Sequence, residues 1–230
     1  MAFGKGGARD EAPVPAVEWV GVREFTVGMT ELPVTKGRGS AVRGPRAIRV
    51  PQGKGSSLVF APCAYVGPVA PPAPSSALDP CLYEDLEKQR LLCCLVAEGD
   101  EGGERCFRVL DGQGTEIGTI RRVPPSRKPF KHTWRIDQPG HTEIVGRNRW
   151  ASGDAKRIAA RGAETVFHEA LDSLFYSEET ASPPRPKSRT LEWLSDSELV
   201  MVSQGTDLFT VRVDWLDRRL AFAFALLGDR

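Results

Sequence analysis

The chain has 230 residues, a hydrophobic content of 40% and a formal net charge of +1. A chain of this length allows one all-β barrel-type domain or two small domains, and the near-neutral charge excludes a global field that attracts nucleic acid or a membrane. The five cysteines form no C-x-x-C pair, and an odd number does not fit a disulfide framework (Cys63, Cys81, Cys93, Cys94 and Cys106). We therefore expect free thiols and a reducing, cytoplasmic environment.

The first 80 residues predict two segments. Residues 1–16 are polar and contain Gly and Pro, which favours a disordered tail and not a signal peptide. Residues 17–80 combine strand candidates at 17–27, 47–50 and 57–61 with a Gly- and Pro-rich basic composition. Six prolines between positions 62 and 80 are not expected in a central strand, so this stretch predicts a linker or a long surface loop. We place an internal boundary near residue 80, with a barrel domain at 81–230.

The pattern after residue 88 predicts an antiparallel meander. Residues 89–96 are almost continuously apolar, as in a buried strand. The sequences DGQG (111–114) and QPG (138–140) are turn signals, and each lies between two strand candidates, 106–110 with 115–122 and 134–137 with 142–149. Further strands are expected at 190–194, 198–203 and 207–214.

Two helices are predicted in the second half of the chain. Residues 154–176 have apolar side chains at helical spacing and predict an amphipathic helix. Residues 220–227, LAFAFALL, follow an aspartate-flanked start, are closed by Gly228 and have no polar face. A helix that is apolar all round must be enclosed, and eight residues fall far short of the ~20 that cross a bilayer. The C-terminal helix is therefore expected inside a protein core.

Several of these segments carry a family resemblance. They are FRVLD (107–111), Gly114, IGTI (117–120), WRID (134–137), and the strand and apolar helix of 209–227. Over about residues 88–230 the chain resembles the tubby-like superfamily, nearest to its LURP-one-related and phospholipid-scramblase-like branches. The resemblance implies a closed antiparallel β-barrel of hairpins, about twelve strands in all, around a hydrophobic C-terminal helix. Only eight or nine strands are predicted after residue 88, so residues 17–61 must supply the others or the barrel is reduced.

The sequence nominates no catalytic residues. Gly112, Gly114 and Gly118 precede a strand rather than a helix, which excludes a dinucleotide fingerprint. The three histidines have no metal-ligand spacing, and no nucleophile motif is present. Asp111 and Asp137 have the positions of hairpin-turn residues. We expect a protein that is not an enzyme and needs no cofactor or metal.

One region has a distinctive charge. Residues 117–161 contain eleven Lys or Arg and three acids, a local charge of +8, and residues 121–135 contain six basic residues and no acid. We call the following set the basic rim: Arg121, Arg122, Arg127, Lys128, Lys131, Arg147 and Arg149. It predicts contact with an anionic ligand or phospholipid headgroup, at most peripherally on the inner face of the membrane, as in tubby-like proteins that bind phosphoinositides through a basic barrel face.

Two other interpretations remain open. The basic residues can form a solvated face that pairs with the acidic 79–116 segment. Alternatively, the chain is a protein-interaction or scaffold module that docks a partner through its Pro-rich and basic segments. Nucleic acid is the least favoured partner, because the chain lacks an aromatic base-stacking platform.

Overall fold

The barrel is closed and antiparallel. The computed structural model describes residues 14–35, 37–101, 103–125, 133–148, 189–205 and 208–228. Each strand pairs with its neighbours along the chain, and the last pairs with the first. The strands are β1 (Glu24–Leu32), β2 (Val42–Gln52), β3 (Val59–Gly67), β4 (Cys81–Tyr83), β5 (Leu91–Glu101), β6 (Glu104–Asp111), β7 (Glu116–Val123), β8 (Thr133–Asp137), β9 (Ile144–Asn148), β10 (Thr190–Ser195), β11 (Glu198–Gln204) and β12 (Leu208–Val211).

The C-terminal helix, α1 (Arg218–Leu227), follows β12 after a short connection. The predicted mainly β fold, with a closed antiparallel barrel and a C-terminal helix, is confirmed. The amphipathic helix predicted for 154–176 lies outside the described residues, as do the first 13 residues of the predicted tail.

Local sequence sets both ends of α1. The Asp217 side chain accepts a hydrogen bond from the backbone N–H of Arg219, as a helix N-cap does. Gly228 follows the last turn with φ of 70°, a conformation that glycine adopts without strain, and its N–H donates to the carbonyl of Phe224. The aspartate start and glycine stop that the sequence predicts are therefore both used.

The helix fills the barrel with aromatic side chains. Leu220, Phe222 and Phe224 are fully buried. The Phe224 ring packs edge-on against Trp134 and Trp193, with ring centroids 5.2 and 4.6 Å away. These aromatic contacts add to the free energy of burying the rings themselves.

The up-and-down topology gives the barrel two distinct ends. We call the end at which α1 begins the start end, and it carries the β6–β7, β8–β9 and β10–β11 turns. The opposite end, toward which α1 runs, is the far end, and it carries the β5–β6, β7–β8 and β11–β12 connections. Gly118, just after the β6–β7 turn, lies against Leu220 in the first turn of the helix, which fixes this polarity.

The N-terminal strands complete the barrel, which corrects the predicted division near residue 80. β3 and β4 are hydrogen-bonded neighbours on either side of that position, so residues 24–83 supply a third of the wall. The predicted strand at 17–27 begins only at Glu24. Pro62 lies within β3, contrary to expectation, beside a register irregularity in the β2–β3 pairing where a missing N–H is tolerated. Its carbonyl accepts a hydrogen bond from Val17.

The remaining prolines belong to a segment that covers part of the outer wall. We call residues 68–80 the proline-rich cap. Its side chains Val69, Ala73 and Ala77 pack on a second apolar cluster formed by β4, β5 and β6. The hydroxyl of Tyr83 contacts the cap carbonyls of Pro68 and Ala70, at 2.8 and 3.4 Å. The cap is therefore part of the folded barrel rather than a linker between domains.

A buried ion pair joins the first three strands. Arg49 is 1% exposed and donates hydrogen bonds to the carbonyls of Gly28, Pro45 and Phe60 and to the carboxylate of Glu31. Burial lowers the pKa of Arg49, although the Glu31 charge opposes that shift. A Cβ at Gly44 would lie 1.9 Å from the Glu31 carboxylate, so glycine leaves the space that this side chain occupies.

We predict that Phe224→Ala lowers the free energy of unfolding by about 3–5 kcal/mol, because it leaves a cavity between α1 and two tryptophans. Phe224→Leu keeps most of the volume and is expected to cost about 1.5 kcal/mol or less. Urea unfolding of both variants measures the difference. Equal costs would contradict the packing described for this ring.

We predict that Gly44→Ala destabilises the protein by about 1–3 kcal/mol, because the methyl group displaces Glu31 from Arg49. The matched control is Gly28→Ala, where no heavy atom lies within 4 Å of the new Cβ, and it is expected to change stability by less than about 0.5 kcal/mol. Thermal unfolding under identical conditions compares the two. A control variant as unstable as Gly44→Ala would argue against the steric explanation.

Candidate anion-binding site

Arg121 of the basic rim lies in a network of carboxylates on the outer wall. Its guanidinium donates to Asp137 at 2.8 Å and to Glu104 at 3.3 Å, and it also contacts Glu143. Partial burial disfavours its charge, but hydrogen bonding to Asp137 and the charges of Asp137 and Glu143 outweigh that effect and raise the pKa of Arg121. Three acidic neighbours compensate this cation, so Arg121 is poorly placed to hold an external anion.

The same network extends along the outer face of the neighbouring strands. Arg135 binds Glu143 at 3.0 Å, and Arg108 binds Glu98 at 2.6 Å. Glu98 and Glu104 belong to the acidic 79–116 segment. For this part of the region, the structure therefore agrees with the solvated, internally paired face that the sequence left open as an alternative.

Arg122 has a different environment from Arg121, because successive strand residues point to opposite faces. Arg122 lies directly across from Trp134 in the β7–β8 pairing, and its guanidinium is 5.8 Å from the Trp134 ring centroid. Trp134 in turn packs against Phe224 of the helix. Arg122 is thus on the inner side of the wall, near the far end.

A second arginine accompanies Arg122. In the β6–β7 pairing, Arg105 lies directly opposite Arg122 on the same face, next to the β5–β6 turn. Arg105 is exposed and Arg122 is half-buried. We call Arg105 and Arg122 the far-end pair; in the β5–β6 pairing Arg105 also lies directly opposite Asp100.

The remaining rim residues divide into two groups. Arg147 is exposed on the outer side of β9, two residues beyond Val145, which is aligned with Arg135. It is therefore on the same wall face as Arg121, and not beside Arg122. The other four members, Arg127, Lys128, Lys131 and Arg149, lie outside the described residues.

The two aspartates that could be mistaken for an acid–base pair have structural contacts. Asp111 accepts hydrogen bonds from the N–H groups of Gln113 and Thr115 and closes the β6–β7 turn, as predicted. Asp137 is at the end of β8 and binds Arg121 and Thr119. The contacts of Asp111 and Asp137 are therefore those of structural residues, and none of these hydrogen bonds joins one aspartate to the other.

A shallow polar cleft of about 330 Å³ lies at the start end. Its lining includes Ser195, Asp196, and a stack of His141 on Trp215 with ring centroids 4.4 Å apart. The Ser195 hydroxyl donates to the carbonyl of Thr142, and the Trp215 N–H donates to Glu198. These hydrogen bonds link neighbouring loops at the start end. Neither of them joins Ser195 to His141, as a nucleophile is joined to its general base.

Within the described residues, no three His, Cys, Asp or Glu side chains come together as candidate metal ligands. None of the helices in the part of the chain that is described is long and apolar enough to cross a membrane. Comparison with known proteins gives no match to a family model, to a curated protein or to a solved structure.

Arg105 is a candidate site residue that the sequence pattern does not predict. Arg105 was not part of the predicted rim, because it lies on β6, outside the basic segment. The β6–β7 pairing aligns Arg105 with Arg122, but a register shift between Val109 and Leu110 separates this pair from the DGQG turn, so the turn alone does not give the alignment. The same register aligns Arg121 with Cys106 on the opposite face.

We predict that Arg121→Met lowers the free energy of unfolding by about 1–2 kcal/mol, because it leaves three partly buried carboxylates without their shared partner. The control is Arg23→Met, which removes an ion pair with Asp214 and a hydrogen bond to the Arg212 carbonyl from a side chain that is 53% exposed, and it is expected to cost less than about 0.5 kcal/mol. Urea unfolding at low and high salt measures both. Indistinguishable costs would show that the network contributes no more than one surface pair.

Proposed function

We propose that this chain is a non-enzymatic barrel that binds the headgroup of an anionic phospholipid at a cytoplasmic membrane surface. The observation that carries the proposal is the alignment of Arg105 and Arg122 on one face of the wall, at the far end and beside Trp134. Membership in the tubby-like superfamily is part of the same proposal. It is supported by the closed twelve-stranded barrel and the enclosed C-terminal helix.

A phosphate group fits this pair of side chains chemically. Arginine presents a planar set of N–H donors that bind phosphate oxygens in pairs. Two arginines on one face of the wall offer such donors to a single phosphate group. The guanidinium of Arg122 lies over the Trp134 ring, 5.8 Å from its centroid, and this cation–π contact favours that position of the side chain.

The sequence has further positive charge in the segment that joins β7 to β8. Arg127, Lys128 and Lys131 lie between Val123 at the end of β7 and Thr133 at the start of β8. Each basic residue close to an anionic membrane contributes about 1 kcal/mol of binding free energy. The proposed site therefore comprises Arg105 and Arg122, together with these three residues, and excludes Arg121.

The alternative role as a protein-interaction module has less support. It uses the proline-rich stretch 62–80, the loop 182–189 and the basic 28–54 region as docking segments, but Val69, Ala73 and Ala77 of the first of these pack on the barrel itself. Those side chains are already in contact with the protein's own wall. The lipid proposal does not require the cap to be released.

The proposal predicts that Arg105→Ala/Arg122→Ala weakens sedimentation with vesicles of phosphatidylserine or phosphoinositide in phosphatidylcholine by about tenfold or more at near-physiological salt. The control variant, Arg23→Ala/Arg90→Ala, removes two exposed arginines at the start end and has the same net charge. It is expected to bind nearly as well as the unmodified chain. Neutral vesicles are expected to bind none of the three proteins.

Two results would contradict this site. Equal losses in both double variants would mean that attraction follows total charge and not the far-end pair. Undiminished binding of the Arg105→Ala/Arg122→Ala variant would place the anion elsewhere. Circular dichroism of each variant establishes that the barrel is intact before binding is compared.

A further inference from the structure

Two adjacent cysteines in β5 have opposite environments. Cys93 faces the barrel interior, where its thiol contacts the carbonyl of Arg219 in α1 at 3.9 Å. Cys94 faces outward and belongs to the apolar cluster beneath the proline-rich cap. The alternation of side chains along a strand separates the two thiols by the thickness of the wall.

A third cysteine lies beside Cys94. β4 and β5 are antiparallel, with Leu82 aligned to Cys93. One step along each strand therefore places Cys81 opposite Cys94 on the outer face. Directly opposed residues of an antiparallel pair have Cα atoms about 4.5–5.5 Å apart, which is within the span that a disulfide bridges, about 4.4–6.8 Å.

The two thiols interact with each other. Their side-chain interaction raises the pKa of Cys81 and lowers the pKa of Cys94, and the Cys81 thiol donates to the carbonyl of Leu78 at 3.7 Å. Cys63, by contrast, is a buried thiol whose pKa is raised to about 12, because burial disfavours its thiolate. Of this set, Cys94 is the thiol whose environment favours the reactive thiolate.

We propose that Cys81 and Cys94 form an oxidisable dithiol, which a peroxide converts to a disulfide under the proline-rich cap. The Cys94 thiolate attacks one peroxide oxygen and breaks the O–O bond, giving a sulfenic acid and, after protonation, one water. The Cys81 sulfur then attacks the sulfenic sulfur, forms the S–S bond and releases the second water. Two thiols and one peroxide thus give one disulfide and two waters.

The cap controls access to this pair. Cys81 and Cys94 are 0% and 2% exposed, so a peroxide reaches them only when the cap opens locally. The Tyr83 hydroxyl donates to the Pro68 carbonyl at 2.8 Å, and the backbone N–H of Leu78 donates to the carbonyl of Leu95 at 2.6 Å. Cap stability should therefore set the rate of oxidation.

The test exposes the folded full-length chain to hydrogen peroxide, alkylates the remaining thiols with N-ethylmaleimide after denaturation, and maps the peptides by tandem mass spectrometry. The expected product is a Cys81–Cys94 linkage with a mass loss of two hydrogens. Cys93→Ala and Cys94→Ala form a matched pair, since they alter neighbouring residues on opposite faces. The linkage is expected to persist in the first variant and disappear in the second.

Tyr83→Phe tests the role of the cap. Loss of the hydroxyl removes its contacts with the cap, and we expect disulfide formation to accelerate about three- to tenfold. An unchanged rate of disulfide formation in this variant would show that the cap does not control access to the thiols, and it would overturn that part of the proposal. If the unmodified chain keeps both thiols alkylatable while Cys106 is oxidised, or if Cys81 links to Cys93, the dithiol assignment is wrong.

Discussion

The structure depends on enclosing a helix that has no polar face. All eight side chains of LAFAFALL are apolar, so their burial favours the folded state over exposure to water. An eight-stranded barrel is just wide enough for its own side chains, whereas diameter grows with strand number and a twelve-stranded barrel has room for a helix. The alanines at 221, 223 and 225 keep that helix narrow, and the large aromatic residues fill the space that remains.

Enclosure also requires polar contacts where the helix enters. Arg218 is 3% exposed and donates to the carbonyls of Val22 and Leu216. The Gln138 amide in the β8–β9 turn donates to the carbonyl of Trp215 and accepts from the N–H of Asp217. These hydrogen bonds connect the start of the helix to the N-terminal segment and to the β8–β9 turn, which is some 80 residues earlier in the chain. These contacts align the two halves of the wall around α1.

Local patterns predicted the helix, its caps and the DGQG and QPG hairpins, because these features are determined by neighbouring residues. The sequence did not predict the three-residue β4, which is too short for a periodicity, or Pro62 within β3, which depends on an irregularity in the pairing with β2. It grouped Arg121 with Arg122 because they are adjacent and equally charged. Strand alternation places them on opposite faces: Arg121 contacts three carboxylates, and Arg122 lies opposite Arg105 on β6 and Trp134 on β8. Such differences arise from register between strands, which a single segment does not contain.

Native-state hydrogen exchange tests the central claim most directly, because it measures the opening free energy of each amide. If the helix is the core of the barrel, amides of Phe222, Phe224 and Ala225 should exchange only through global unfolding. Their opening free energies should then equal those of β7 and β10 and fall equally with denaturant. Exchange of the helix amides at a clearly lower free energy, with the strands still protected, would show that the barrel is stable without its helix and would contradict this account.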